Sequence, residues 1–147
     1  MTTGAAVSLD GGCHCGAIRV RFLPRCPVDS LVPRADQCSF CRKHNAAVVS
    51  DPGGQLEISL SGQAGTPYRF GLGITDFHVC RSCGVFVAAS WNDGEDRRGV
   101  VNIHALVDRA LLSQDPVAVT FDSEGVAERE ARRRLHWTPV TVLRHAG

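Results

Sequence analysis

The sequence predicts a mainly β domain of antiparallel sheets, with a minor helix near the C-terminus. Three observations carry this reading. Apolar residues alternate with polar ones in short runs, as in half-buried strands: Ile18, Val20 and Phe22 against Arg19 and Arg21, then Leu56, Ile58 and Leu60. The connections between such runs are mostly short and carry the glycines and prolines of turns. Four cysteines stand in two short-spaced pairs far apart in the chain, Cys13-His14-Cys15 and Cys80-Arg81-Ser82-Cys83, each followed at once by a glycine. That is the pattern a tetrahedral zinc uses to staple two distant pieces of backbone, so the sheets are expected to be held by a four-cysteine structural site whose two pairs lie at the ends of neighbouring strands.

The 147 residues, 44% of them hydrophobic, suffice for one cored domain, and no composition shift divides residues 1–147 into two. A formal net charge of +1 gives no field that would recruit nucleic acid or an anionic membrane. No run approaches the roughly 18 apolar residues of a membrane span, and the Met1 start lacks the basic and long apolar regions of a secretory leader. The expected location is cytoplasmic. Seven cysteines are an odd number for a disulfide framework, and a reducing compartment favours thiolates as metal ligands.

Taken in order, residues 16–23 read as a strand. If the extended backbone reaches back to Cys13, both Cys13 and Cys15 fall on one side and His14 on the other, toward the core, with Gly16 as a bulge or turn. Pro24, Pro27 and Pro33 make the next stretch loop or sheet edge, where Cys26 reads as a small buried side chain. Ala46–Ser50 and Leu56–Leu60 read as strands. Tyr68, Phe70, Phe77 and Val79 suggest a hairpin across Gly71 and Gly73 that delivers Cys80 at its end. Val85–Ser90 and Val100–Ile103 flank a hairpin tip at Asn92–Asp96. Ala105–Leu112 fits two helical turns and Val117–Phe121 a strand. Val126–Leu135 fits a short helix ended by Trp137 and Pro139, with Arg129, Arg132, Arg133 and Arg134 as a solvated face.

The outer four cysteines form a closed all-sulfur set, the hallmark of a structural rather than a catalytic zinc, and the same set suits a single iron ion. The central Asp36-Gln-Cys38-Ser-Phe-Cys41, followed by Arg42-Lys43-His44, has no further cysteine pair to close it. Two readings stand. Cys38, Cys41 and the Asp36 carboxylate are three ligands that leave an open fourth position, as a catalytic zinc requires; alternatively, the pair is unmetallated or redox-sensitive.

The chain resembles the family of glutathione-dependent formaldehyde-activating enzymes, which includes centromere protein V. The resemblance is carried by Gly12-Cys13-His14-Cys15-Gly16-Ala17-Ile18-Arg19, by Cys38-Ser39-Phe40-Cys41-Arg42-Lys43, by Ser61-Gly62 with Tyr68-Arg69, and by Phe77-His78-Val79-Cys80-Arg81-Ser82-Cys83-Gly84. It implies a structural zinc on Cys13, Cys15, Cys80 and Cys83. It also implies a catalytic zinc on a central Cys-x-Cys-x-x-Cys, whose last two members are Cys38 and Cys41 and whose first is replaced by Asp36.

The implied activity joins formaldehyde to glutathione as S-hydroxymethylglutathione, a carbon-sulfur lyase reaction with glutathione as co-substrate. An exchangeable zinc position would hold the substrate sulfur as thiolate, which a free thiol of pKa about 8.5 provides only in small part. Asp36 and His44 are the expected proton handlers, and the partner is a small thiol or its aldehyde adduct. The rival reading is a one-zinc structural or binding module without catalysis, because Asp36 stands where the family has cysteine. The sequence carries no signal for oligomeric state.

Overall fold

The computed structural model describes residues 7–146; the expectation drawn from the Met1 start lies outside them. Among the described residues, no helix is long and apolar enough to cross a membrane. The alternating runs fold as their period dictates. In β2 (Ile18–Leu23), Ile18, Val20 and Phe22 are buried while Arg19 and Arg21 are exposed. In β5 (Gln55–Ser61), Leu56, Ile58 and Leu60 form the matching inner row. Each such side chain, fully buried, contributes about 1.5–3 kcal/mol.

The strands form two sheets that share one strand. The first has the order β1 (Leu9–Gly12), β2, β5 and β10 (Thr138–His145). The second runs from β6 (Thr75–Val79) through β7 (Phe86–Asn92) to β8 (Arg97–Asn102), and then through β4 (Val48–Val49) and β3 (Arg34–Asp36) to β9 (Val117–Val119). Thr138 and Pro139 pair with β8, after which Val140–His145 pair with β5, so β10 passes from one sheet to the other. Pro139 stands at this switch, where a missing N–H removes least from a ladder. The larger core lies between the sheets, around Phe22, Ile58, Val87 and Val101, and a smaller one gathers Cys41, Phe86, Trp91 and Trp137.

The expected class holds, with particular departures. Most pairings are antiparallel, but β10 runs parallel to β5 and β9 parallel to β3. β10 itself was hidden by Pro139, which reads as a helix stop and instead opens a strand. Residues 105–112 make no α-helix; two separate 3-10 turns cover Ile103–Ala105 and Arg109–Leu111. The segment buries Ala105 and Leu106 but leaves Val107 80% and Leu111 51% exposed, so its apolar residues do not share one buried helical face. A short helix that the periodicity did not indicate, α1 (Ser39–His44), starts on the Cys38 side chain and stops at Asn45 in the left-handed conformation, φ 50°.

The C-terminal helix α2 (Val126–His136) lies where expected, but its arginines are not a solvated face. Arg133 is 4% exposed, whereas Leu135 on the same helix is 67% exposed. Arg129, Arg132 and Arg133 have the i, i+3, i+4 spacing that normally carries a helix's apolar stripe. Ion pairs and ring faces make that inversion tolerable. Arg132 grips Glu124 through both carboxylate oxygens, at 2.9–3.1 Å, and lies over the Phe121 ring; Arg133 lies over Trp137. Arg134 alone turns outward, to Asp93 at 2.7 Å.

β1 is packed so closely under the 103–107 segment that a Cβ on Gly11 would lie 2.0 Å from the Ala105 carbonyl oxygen, whereas one on Gly53 would meet nothing nearer than 3.5 Å. Gly11→Ala is expected to cost about 1–3 kcal/mol in urea unfolding, and Gly53→Ala under about 0.5 kcal/mol. Equal midpoints for the two variants would contradict this packing.

Candidate metal centre and adjoining cavity

Both outer cysteine pairs are carried by hairpin turns of the same design. In the β1–β2 turn the Cys13 amide donates to the Ile18 carbonyl at 2.9 Å; in the β6–β7 turn the Cys80 amide donates to the Val85 carbonyl at 3.0 Å. Each closes a six-residue loop. Gly16 and Gly84 both adopt φ 84°, a conformation that a side chain would strain. The turns leave backbone N–H groups directed at sulfur: Ile18 N donates to Cys13 Sγ at 3.2 Å and Cys83 N to Cys80 Sγ at 3.5 Å. Amides so placed stabilise thiolates rather than thiols.

Cys13, Cys15, Cys80 and Cys83 bring their sulfurs within 4.8 Å of one another. Cys15 Sγ lies 3.7 Å from Cys13 Sγ and 3.5 Å from Cys80 Sγ. A tetrahedral ion with metal-sulfur bonds of about 2.3 Å has sulfur-sulfur edges of about 3.8 Å, so these four residues could hold a metal ion with little movement. Two details differ from the sequence expectation. Cys13 and Cys15 meet through a turn rather than an extended strand, so His14 is exposed instead of facing the core. The two pairs also lie on hairpins of the two different sheets, not at the ends of neighbouring strands, so an ion here joins sheet to sheet.

Crowding splits the acidities of these thiols. The Cys15 amide, then the Val85 amide, pull Cys83 down to about 6. The Ala17 amide lowers Cys15, but the Cys80 thiol, desolvation and the other two thiols outweigh it and push Cys15 up to about 11. A cation at the centre resolves that conflict, since it stabilises all four as thiolates.

The central residues occupy a separate site. Cys38 caps α1: its Sγ accepts from the Cys41 amide at 3.4 Å, and the Asp36 carboxylate accepts from the Cys38 amide at 2.9 Å. Asp36, Cys38 and Cys41 line a cavity of about 350 Å³, walled on one side by Phe70, Phe77 and Phe86 and on the other by α2. Burial pushes the Cys41 thiol well up, and the neighbouring Cys38 and Asp36 charges add to the effect. Among the described residues, the outer four cysteines are the group whose ligand atoms converge tightly enough for a metal; Asp36, Cys38 and Cys41 share the cavity without converging to that degree. His44, at the end of α1, is not among the residues that line the cavity; its ring lies 4.6 Å from Phe40 and 5.7 Å from the wall residue Phe86.

A register shift shapes the aromatic wall. Val79 pairs with Phe86 but His78 with Ala88, leaving Val87 as an extra residue. This bulge puts Phe86 on the same face as Ala89 and Trp91, toward the cavity, while Val87 and Ala88 enter the main core. Sequence reasoning missed the opposite wall altogether: Arg34, Arg129, Arg132 and Arg133 all line the cavity. The available signal was the helical spacing of 129, 132 and 133.

Losing one outer sulfur should remove the metal and most of the fold, because binding energy at a closed site is folding energy. Cys80→Ser is expected to lack bound metal and a cooperative melt. In the parent protein, metal affinity should fall as pH drops, since protons compete for the thiolates. A metal-free Cys80→Ser protein with unchanged melting would contradict this.

No protein-family model matches the chain, and no curated protein matches it. It is similar to the crystal structure of a Rhodobacter sphaeroides protein solved as a structural-genomics target, at 25% identity and a TM-score of 0.52. The similarity covers 74% of this chain and 99% of that one.

Proposed function

We propose that this protein is a zinc-dependent enzyme of the carbon-sulfur lyase type, related to the glutathione-dependent formaldehyde-activating enzymes and acting on a thiol-aldehyde adduct such as S-hydroxymethylglutathione. The observation that carries the proposal is the opening of Asp36, Cys38 and Cys41 onto one cavity of about 350 Å³, a size that suits a small ligand. In this reading the four outer cysteines hold a structural zinc, and Cys38, Cys41 and Asp36 take a second. Seven free thiols accord with a reducing, cytoplasmic setting.

Adduct formation joins the thiol sulfur to the aldehyde carbon and moves the S–H proton to the carbonyl oxygen; the lyase direction breaks the same bond and returns the proton. When bound at the second site, zinc supplies Lewis acidity for the substrate sulfur and the oxygen. The chain's own residues orient and enclose. The Cys38 amide fixes one oxygen of Asp36 and so holds this carboxylate beside the thiols. Phe70, Phe77 and Phe86 restrict water on one side.

A one-metal structural or binding module is the second reading. It is favoured by the commitment of Asp36 to the Cys38 amide and by the looser grouping of Asp36, Cys38 and Cys41. Two variants separate the readings. Cys41→Ser is expected to lower thiol-aldehyde exchange, after subtraction of the uncatalysed rate, by at least about 100-fold while the first metal is retained. Asp36→Cys is expected to tighten a second zinc, since sulfur replaces oxygen in the ligand set. Unchanged exchange in the first variant, and no second zinc in the other, would remove the enzyme reading.

A further inference from the structure

We propose that Arg133, with Arg34, forms a binding subsite for a carboxylate in the cavity that Cys38 and Cys41 also line. This rests on the reading of that cavity as a ligand site and narrows the substrate class, from the polar, twice-carboxylated glutathione adduct to a small acid with an apolar body and a single negative charge. Arg133 carries the argument. Its residue is 4% exposed, it lines the cavity, and its Nε and Nη1 have no hydrogen-bond partner among the described residues. A guanidinium cannot shed its charge in a protein, and buried donors left unpaired are costly. The Trp137 ring below it, 4.3 Å away, meets the face of the cation and leaves its N–H groups unsatisfied.

Neighbouring groups do not fill the gap. Glu124 is taken by Arg132 in a bidentate grip, and Arg129 Nε lies 3.6 Å from the same carboxylate, beyond hydrogen-bond distance. Glu130 accepts from Trp91 Nε1 at 3.2 Å. Arg34 donates to the neutral Ser50 hydroxyl at 2.7 Å, and among the described residues neither Arg34 nor Arg133 forms an ion pair. Burial, with Arg132 and Arg129 adding to it, pulls Arg133 down to about 9, as expected of an uncompensated charge.

The stoichiometry of charge selects the ligand. Four guanidiniums face three carboxylates, Asp36, Asp122 and Glu124, around the cavity, which leaves one positive charge uncompensated. A single carboxylate neutralises it, whereas a phosphate dianion would meet those carboxylates with charge to spare. The fork of an arginine matches a carboxylate in a bidentate pair. The remaining lining is largely aromatic and aliphatic, so the acid should carry an apolar body.

Calorimetric titration of the metal-loaded full chain with 3-phenylpropanoate, 3-phenylpropanol and inorganic phosphate tests this. The acid is expected to bind at least tenfold tighter than the alcohol of the same shape, and tighter than phosphate. Arg133→Met should lose that tenfold preference without lowering the ligand-free Tm, because it exchanges an unpaired buried charge for an apolar side chain of similar length. Should that variant fail to fold, Arg34→Gln reads the same preference and should reduce it. Equal affinity for acid and alcohol, stronger binding of phosphate, or an intact preference in the folded variants would overturn the proposal.

The probes contain neither thiol nor aldehyde, so the outcome is independent of turnover. Acid binding that persists in a protein without exchange activity sinks the lyase reading and leaves the subsite standing. Exchange that is as efficient with 2-mercaptoethanol as with 3-mercaptopropanoate sinks the subsite and leaves the lyase reading.

Discussion

The convergence of four sulfurs from two hairpins is the constraint on which the rest depends. Cys15 and Cys80 are 65 residues apart in sequence and 3.5 Å apart at their sulfurs. Four thiols this close, two of them buried, repel as thiolates and strain one another's acidity as thiols, and a cation removes both costs. Because the hairpins belong to different sheets, the same contact fixes one sheet against the other. It also closes a long loop whose conformational entropy opposes folding. The remaining chain reinforces the seam: β10 crosses between the sheets, the larger core fills the space between them, and the Arg81 amide donates to the Ala64 carbonyl beside the second pair at 2.9 Å.

The cavity inherits its shape from that arrangement. The second hairpin carries the bulge that turns Phe86 toward α1, and α1 begins on Cys38, so aromatic wall and central cysteines are positioned together. α2 closes the other side with a stripe of arginines where a helix ordinarily presents leucines. Such a helix loses hydrophobic stabilisation and gains a polar, positively charged wall facing a space of about 350 Å³. A fold that needed only stability would place Leu135 inside and Arg133 outside. The reverse placement is the observation behind the proposed carboxylate subsite.

Much of the fold was legible because alternation and turn residues act locally. Ile18, Val20 and Phe22 declare their strand by period alone, and Gly16 and Gly84 mark the turns after each cysteine pair. The outer four cysteines were legible for the same reason, since spacing and glycine are read directly. What was hidden depended on long-range context. Pro139 ends helices in isolation but here opens a strand that two sheets complete. His14 faces outward because a turn, not an extended strand, carries it. Arg129, Arg132 and Arg133 read as solvent-facing by charge, and only Glu124, Phe121 and Trp137, brought in by the tertiary fold, reveal them as interior. His44 is near the central cysteines in sequence, but its ring packs on Phe40 and Phe86 and it is not among the residues that line the cavity.

The four-sulfur staple is the central claim, and metal-edge X-ray absorption on the freshly purified protein, with total metal measured alongside, tests it most directly. The account predicts a tightly held ion in each chain with a shell of four sulfurs at about 2.3 Å. A shell containing oxygen or nitrogen at that ion, or a fully folded protein that purifies without metal and melts no lower than after metal loading, would contradict it.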